Sequence, residues 1–580
     1  MSPATTHHDV MSTPALIPSK SPPRSNRRGV WAGLLVCGAL CMVTLGAVLV
    51  FHHKTDNRAP AVVSALQQTS ALKLTLHLKR GSMHFNNQDT AVAYVMPRAS
   101  NSDGEFAFDA VMRLDLGATT ETYTLVDGRA FVTRSERTTT NDDDDAATST
   151  PECLEPSQMF PFHLMQSSLT SARVIDRVVL ANDDASSATT LTTATDCVDG
   201  TLLELSFAGE SFVLCNDKFN QPQWLKGTDV DIAIESLSSS SLPAFASSLD
   251  KSASVACTPV TPSLPPAASP RSWTDFGTDV VQVLSGAPRE AGLAAATCGC
   301  RMEKKPCLFV HGLANPLELP LSNSFVLWWG QVHRHAPCCS SIKFTHFDTI
   351  NQAWTSDKLQ HDFCDAALTV SGASANATTP NTIGSLLLVS HSMGNLIVSG
   401  AVATNKCQLS SDVTWISSAA PLRGSKSANL FESICDDDHL GGLLNKPLKL
   451  LHLCPAGASL ASMYYYDTMS ATAQAQYDAA QAVRRRHATK MICGTDGWGL
   501  NTVFAPPFKL VGELSHHDGP NDGLVSLESC TAGVGLDNFG GTTESFNYLA
   551  KINHLDCAFR EGDGWWGADR KPVKWFECAL

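Results

Sequence analysis

Hydrophobic and polar positions change rhythm three times along this chain. The first apolar stretch, Val30–Phe51 (VWAGLLVCGALCMVTLGAVLVF), runs for 22 residues without a charge. At helical rise such a segment covers about 30 Å, the hydrocarbon thickness of a bilayer. Lys20, Arg24, Arg27 and Arg28 precede it, and only Lys54 and Arg58 follow closely. Positive charge stays on the cytoplasmic side, so the segment reads as a single-pass membrane anchor, with the N-terminus cytoplasmic and everything beyond Phe51 lumenal or extracellular. A cleaved signal peptide fits less well. Its apolar region is shorter, about 7–15 residues, and ends in small residues, whereas Val50, Phe51, His52 and His53 stand here. Residues 1–29, rich in Pro, Ser and Thr, read as a disordered cytoplasmic tail.

The second rhythm has a period of two. Leu72, Leu74, Leu76 and Leu78 alternate with polar residues, as do Phe106, Phe108, Ala110, Met112 and Leu114. That pattern predicts strands with one buried face. Tyr123–Val126 and Ala130–Val132 flank Asp127-Gly128, a tight hairpin turn, and Leu202–Phe207 with Ser211–Leu214 predict another hairpin. Residues 60–256 are therefore expected to form an antiparallel β-rich domain, with Asp142–Asp145 in a solvated loop. It carries no recognisable catalytic constellation and reads as a spacer or binding module. A Pro- and Ser-rich linker follows at 257–272.

From Trp273 the pattern changes again. Continuous apolar runs (Cys307–Val310, Leu386–Val389, Val413–Ile416, Leu448–Leu451) are separated by longer helical-looking segments. Strands of that kind predict a sheet buried on both faces, so residues 273–580 are expected to form a doubly wound, mostly parallel α/β domain.

Composition adds three constraints. Hydrophobic residues make up 43% of the chain and charged residues 17%, enough to support a large core. The net charge of −14 argues against a nucleic-acid partner, whose phosphates it would repel. Of 19 cysteines, Cys37 and Cys41 lie in the first apolar stretch and 17 follow it. No zinc-ribbon spacing is present, so disulfides in an oxidising compartment are expected, with at least one thiol left over because 17 is odd. The sequon Asn376-Ala377-Thr378 agrees with a secretory route. Nothing in the sequence sets the oligomeric state.

The chemistry concentrates in the last 280 residues or so. In Ser385–Val398 an apolar strand meets a tight turn, Ser390-His391-Ser392-Met393-Gly394, and then an apolar helix. A serine on such a strained turn exposes its hydroxyl, and small residues two before and two after it (Ser390 and Gly394) let strand and helix pack closely. Glycine is usual at the first of these positions. Upstream, Cys307–Val310 runs into His311-Gly312-Leu313; the backbone N–H groups of Leu313 and Met393 are the expected oxyanion donors, and His311 receives no acid–base role. Downstream, Asn521-Asp522-Gly523-Leu524-Val525 offers an acid and Asn553-His554-Leu555-Asp556 a base. The chain order Ser392, Asp522, His554 suits nucleophile, acid and base of a triad. Asp496 and Asp518 compete with Asp522, which the order of motifs favours because turn aspartates usually serve only their own backbone; His516 and His517 compete with His554 but precede the acid.

These pieces resemble the α/β-hydrolase superfamily, particularly bacterial-type triacylglycerol lipases. The resemblance rests on HGL, HSMG, the segment Ala420–Ser425, NDGLVS and NHLD, in order, over roughly residues 306–557; the elbow is also similar to that of lecithin:cholesterol acyltransferase-like enzymes. It implies an α/β-hydrolase fold after the anchor and the β-rich domain, and a serine hydrolase acting on carboxylic, above all lipid, esters without an organic cofactor. A lipid acyltransferase, a thioesterase, a lipid-anchor deacylase and a non-catalytic surface binding protein are the alternatives. In the bacterial lipases an aspartate two residues after the histidine helps to bind calcium. Asp556 matches it, but Arg560 stands where a supporting glutamine is expected, so no metal is assigned. Relatives can place a disulfide at the position of Cys530, bracing the acid loop. The segment between Ser425 and Asp522, including Tyr464–Tyr466 and Ala471–Val483, is long enough for a lid.

Overall fold

The computed structural model describes residues 58–98, 107–117, 119–136, 151–155, 158–161, 164–181, 188–192, 196–247, 249, 256–260, 288–377, 379–436 and 456–580. Val30–Phe51, Asp142–Asp145, Leu448–Leu451 and most of the Pro/Ser-rich stretch lie outside them.

Eleven strands form one antiparallel sheet: β1 (Ala71–Leu78), β2 (Thr90–Arg98), β3 (Ala107–Asp115), β4 (Thr119–Val126), β5 (Arg129–Glu136), β6 (Glu152–Leu154), β7 (Arg173–Ile175), β8 (Thr201–Phe207), β9 (Glu210–Asn216), β10 (Pro222–Gly227) and β11 (Val230–Leu237). Their order is β6-β5-β4-β3-β2-β1-β11-β10-β9-β8-β7. Two meanders are thus joined where β1 pairs with β11, Leu74 opposite Ile234. Hairpins between β4 and β5 and between β8 and β9 turn at Asp127-Gly128 and Ala208-Gly209, all four residues at positive φ, the conformation that matches the twist of the flanking strands. The alternating residues Leu72, Leu74, Leu76 and Leu78 enter a core with Ala110, Met112 and Leu114. Helices α1 (Arg58–Gln67) and α2 (Met165–Thr170) contribute Val62, Leu66 and Leu169 to it.

A second, eight-stranded sheet follows: β12 (Lys305–Val310), β13 (Leu319–Ser322), β14 (Cys339–His346), β15 (Leu386–His391), β16 (Val413–Ser418), β17 (Ala488–Gly494), β18 (Phe539–Gly540) and β19 (Asn547–Ala550). The order is β13-β14-β12-β15-β16-β17-β19-β18. Every residue of β15 is buried because both faces are covered. Leu386 and Leu388 face a core with α3 (Asp357–Val370), α4 (Met393–Ala403) and α5 (Ala471–His487). Leu387 and Val389 face Trp329, Trp575 and Phe576, the last two from α6 (Pro572–Cys578). Segment Ala471–Val483 lies in α5, with Tyr477 buried against Trp354. It is part of the body rather than a lid.

The expected fold class, a doubly wound mostly parallel sheet after a transmembrane helix and a β-rich domain, needs correction. The largest sheet is antiparallel and eleven-stranded, so the described residues are β-rich with few helices. The second sheet is mixed, β13 running antiparallel to β14, and one of its faces is covered mainly by short helices and loops. No described helix is long and apolar enough to cross a membrane. The reading erred because apolar runs report burial on both faces without reporting what covers each face, and because strand order is set by non-local pairing.

The two sheets have separate cores, but the halves that carry them pack together. Trp498, Ala505 and Trp566 from the C-terminal half join the cluster of the eleven-stranded sheet, and Cys298–Cys578 closes the far end of the chain. Buried charges bridge the halves: Lys571 meets Asp229 at 2.6 Å and also Glu210, Lys574 meets Asp229 at 2.8 Å, and Arg80 meets Glu577 at 2.7 Å. Removing one member of such a cluster leaves a desolvated charge uncompensated. Lys571→Met should therefore lower unfolding free energy by about 3 kcal/mol, the lower end for a broken buried pair because Lys574 still neighbours Asp229. Urea unfolding monitored by tryptophan fluorescence measures it.

Seven disulfides join described residues: Cys153–Cys257, Cys197–Cys215, Cys298–Cys578, Cys300–Cys338, Cys307–Cys339, Cys364–Cys407 and Cys493–Cys530. Cys435 is disulfide-bonded as well. Cys557 is a free, buried thiol.

Candidate active site

Strand β15 ends at His391, and Ser392 then takes φ 54°, ψ −130° before α4 begins at Met393. A non-glycine residue in that region is strained and persists only where its surroundings fix it. The fixing contacts are visible. The Ser392 N–H donates to Ser418 O at 3.0 Å. A Cβ on Gly394 would lie 2.6 Å from Val310 O, so no larger residue fits between α4 and β12. A Cβ on Gly312 would lie 2.6 Å from Ser392 Cβ, which makes that glycine as necessary as Gly394. Ser390 has a use for its hydroxyl: it donates to Asn395 Oδ1 at 2.6 Å and accepts from Trp415 Nε1–H at 2.7 Å. Asn395 in turn donates to the carbonyls of Ser392 and Ser418. The serine at this elbow position thus ties the turn to β16.

Ser392 Oγ is 2.8 Å from His554 Nε2, and His554 Nδ1 is 2.7 Å from Asp522 Oδ2. All three residues are at most 7% exposed. The other carboxylate oxygen of Asp522 accepts from the N–H groups of Leu524 and Val525, at 3.0 and 2.7 Å, and the Asp522 carbonyl accepts the His554 N–H at 2.8 Å. The acid loop is braced by Cys493–Cys530. The rival groups sit elsewhere. Asp518 is exposed and paired with Lys426, Asp496 accepts from Trp498 N–H and faces Arg570, and His517 contacts Ser427.

Met393 supplies the first N–H of α4, which has no intrahelical acceptor. The loop that carries Leu313 is pinned by His311, whose Nδ1–H donates to Gly312 O at 2.8 Å while Nε2 accepts from Phe347 N–H at 2.9 Å. Burial brings the His311 ring down to about 4, so it stays neutral and both bonds persist at ordinary pH.

His391 is a functional neighbour that sequence reasoning passed over. Its Nε2–H donates to the His554 carbonyl at 2.9 Å, and its ring lies 4.8 Å from that of His554. Burial, and then the nearby His554, hold it well below the usual histidine range. A neutral ring is thus available to anchor the loop that carries His554. The clue was its place beside the elbow serine, but its partner is 163 residues away.

Asp556 is fully buried and accepts the N–H groups of Leu500 and Asn553, at 2.9 and 3.0 Å. The described residues contain no group of three or more His, Cys, Asp or Glu side chains able to hold a metal ion; at Asp556 one carboxylate oxygen takes both N–H donors and the other is buried without a hydrogen-bond partner. Burial pushes its carboxyl from 3.8 up to about 8. The folded state then binds a proton that the unfolded chain releases, so this contribution to stability is complete below about pH 4 and is lost as pH rises through about 8. The thermal midpoint should fall across that window, and Asp556→Asn should remove this part of the fall. Parallel wild-type and variant curves would show that Asp556 is not its source.

No family model matches the sequence, and no curated protein does. Among solved structures, the chain is similar to a Staphylococcus hyicus lipase, with 13% identity over 48% of this chain and 95% of that one and a TM-score of 0.24. It is also similar to a haloalkane dehalogenase from Bradyrhizobium elkani, with 15% identity over 34% and 75% and a TM-score of 0.21. A carboxylesterase structure from Nitrososphaera gargenis has 11% identity over 34% and 75% and a TM-score of 0.17. Likeness this slight carries no argument about substrate or mechanism, which rest on the geometry alone.

Proposed function

We propose that this protein is a serine hydrolase that cleaves carboxylic esters, lipid esters foremost, through an acyl-enzyme on Ser392. The observation that supports this reading is the unbroken hydrogen-bond path from Ser392 Oγ through His554 to Asp522. In this mechanism His554 Nε2 takes the hydroxyl proton as Oγ attacks the ester carbonyl carbon, and Asp522 holds Nδ1–H and stabilises the imidazolium. The N–H groups of Leu313 and Met393 receive the oxyanion, each contributing about 3 kcal/mol in the transition state. Collapse expels the alcohol with the proton from His554. Water, deprotonated by the same imidazole, then releases the acid.

The lipid preference draws on Leu317, Leu319, Val326 and Leu327, large apolar side chains 44–77% exposed that follow the Gly312–Leu313 turn. Exposed apolar side chains on the segment that follows the oxyanion turn suit a substrate presented at an oil–water boundary. The reading includes membrane attachment through Val30–Phe51 and a lumenal or extracellular catalytic portion, a placement with which the disulfides agree.

An ester series from acetyl to oleoyl tests the reading. Turnover that rises with acyl length is expected. Failure to hydrolyse any carboxylic ester would contradict it, and a strict preference for acetyl would remove the lipid assignment.

A further inference from the structure

A cavity of about 1150 Å³ lies between the apolar face of the eleven-stranded sheet and the segment that follows His554. It exceeds the about 300–1,000 Å³ common for small-molecule sites. None of Ser392, Asp522, His554, Leu313 or Met393 lines it, so it is separate from the candidate active site.

Its floor includes Met112 and Leu114 of β3, from the same alternating set that builds the core, and its walls include Met159, Phe160, Trp565 and Trp566. These walls are held in place by their own packing and hydrogen bonds. Trp566 packs edge-on against Phe160 and Phe207, at 4.4 and 5.5 Å between centroids, and Trp565 Nε1–H donates to Met83 O at 2.9 Å. A preformed apolar hollow binds without first having to be ordered.

The charges around the cavity narrow the ligand class. Lys551 is paired with Asp569, Arg570 with Asp496, Asp563 with Arg80, Glu561 with Arg560, and Glu121 with Arg134. An ionised head group would have to compete with one of these pairs, whereas an uncharged one would not. We propose that this cavity binds an uncharged long-chain lipid, giving the β-rich half a ligand site of its own. Its wall adjoins the catalytic loop: Asn501 Nδ2–H donates to Gln158 O at 2.7 Å, and Leu500 N–H donates to Asp556, two residues beyond His554. The inference does not depend on the catalytic reading.

The test uses the full chain carrying Ser392→Ala, so that turnover plays no part. N-phenyl-1-naphthylamine, an uncharged fluorescent probe, should bind saturably at about one per chain. A dialkyl glycerol ether, which has no ester to cleave, should displace it, and oleate should compete poorly. Met159→Glu places a charge on the wall and should weaken probe binding about tenfold or more; in the wild-type background it should leave turnover of a short soluble ester unchanged. Leu116→Trp fills the cavity instead and serves as the deciding variant if Met159→Glu unfolds on thermal melting. Absence of saturable binding, or unaltered binding by the folded variants, would overturn the proposal. Displacement by oleate but not by the ether would overturn the uncharged assignment.

Discussion

Ser392→Ala is expected to lower kcat for ester hydrolysis by about 10⁶, the scale of loss on deleting the nucleophile of a serine triad. The substitution removes one oxygen and keeps Cβ, so the contacts that hold the strained turn survive: the Ser392 N–H to Ser418, the Asn395 bridge, and the close approach of Gly312 and Gly394. Thermal stability should therefore change little while turnover is lost. That combination separates chemistry from folding. What remains over the uncatalysed rate would come from the N–H groups of Leu313 and Met393 and from substrate binding. Steady-state rates at saturating soluble ester, with a melting curve on the same sample, measure both quantities.

Asp522→Asn should cost about 10⁴ in kcat with little change in KM. The tautomer of His554 decides the loss. With aspartate, one oxygen accepts His554 Nδ1–H at 2.7 Å, while the other is occupied by Leu524 and Val525 N–H. In the variant the amide oxygen is the natural acceptor for those two backbone donors, which turns the NH₂ toward Nδ1. His554 must then carry its proton on Nε2, where it faces Ser392 as a donor and cannot act as a base. Near-normal turnover would remove Asp522 from the mechanism and redirect attention to Asp496 or Asp518.

The period-two segments were legible because strands such as β1 bury chiefly one face, so Leu72 to Leu78 betray their own conformation. Their pairing was not legible, since β1 meets β11 across more than 150 residues, Leu74 against Ile234. The positions of Ser392, Asp522 and His554 stood out because each lies on a turn with its own local chemistry, and the structure brings their side chains within hydrogen-bond reach of one another. His391 was missed because its importance depends on where the His554 carbonyl falls. The bridge between the halves was equally hidden. Lys571, Lys574 and Arg80 read as surface charges in a sequence, and only the fold buries them against Asp229, Asp563 and Glu577. Counting cysteines predicted an unpaired thiol, and Cys557 is free; the pairings themselves follow from three-dimensional proximity alone. The mixed second sheet shows the limit of apolar runs as evidence, for they report burial but not the layer that supplies it.

The central claim is that His554 makes the Ser392 hydroxyl the nucleophile. Treating the folded protein with a fluorophosphonate and mapping the adduct by peptide mass spectrometry tests it most directly. One phosphonyl group is expected on Ser392 in the wild type and none in Ser392→Ala, with labelling slowed severely in His554→Ala. A serine labelled elsewhere, or equal labelling of wild type and Ser392→Ala, would contradict it.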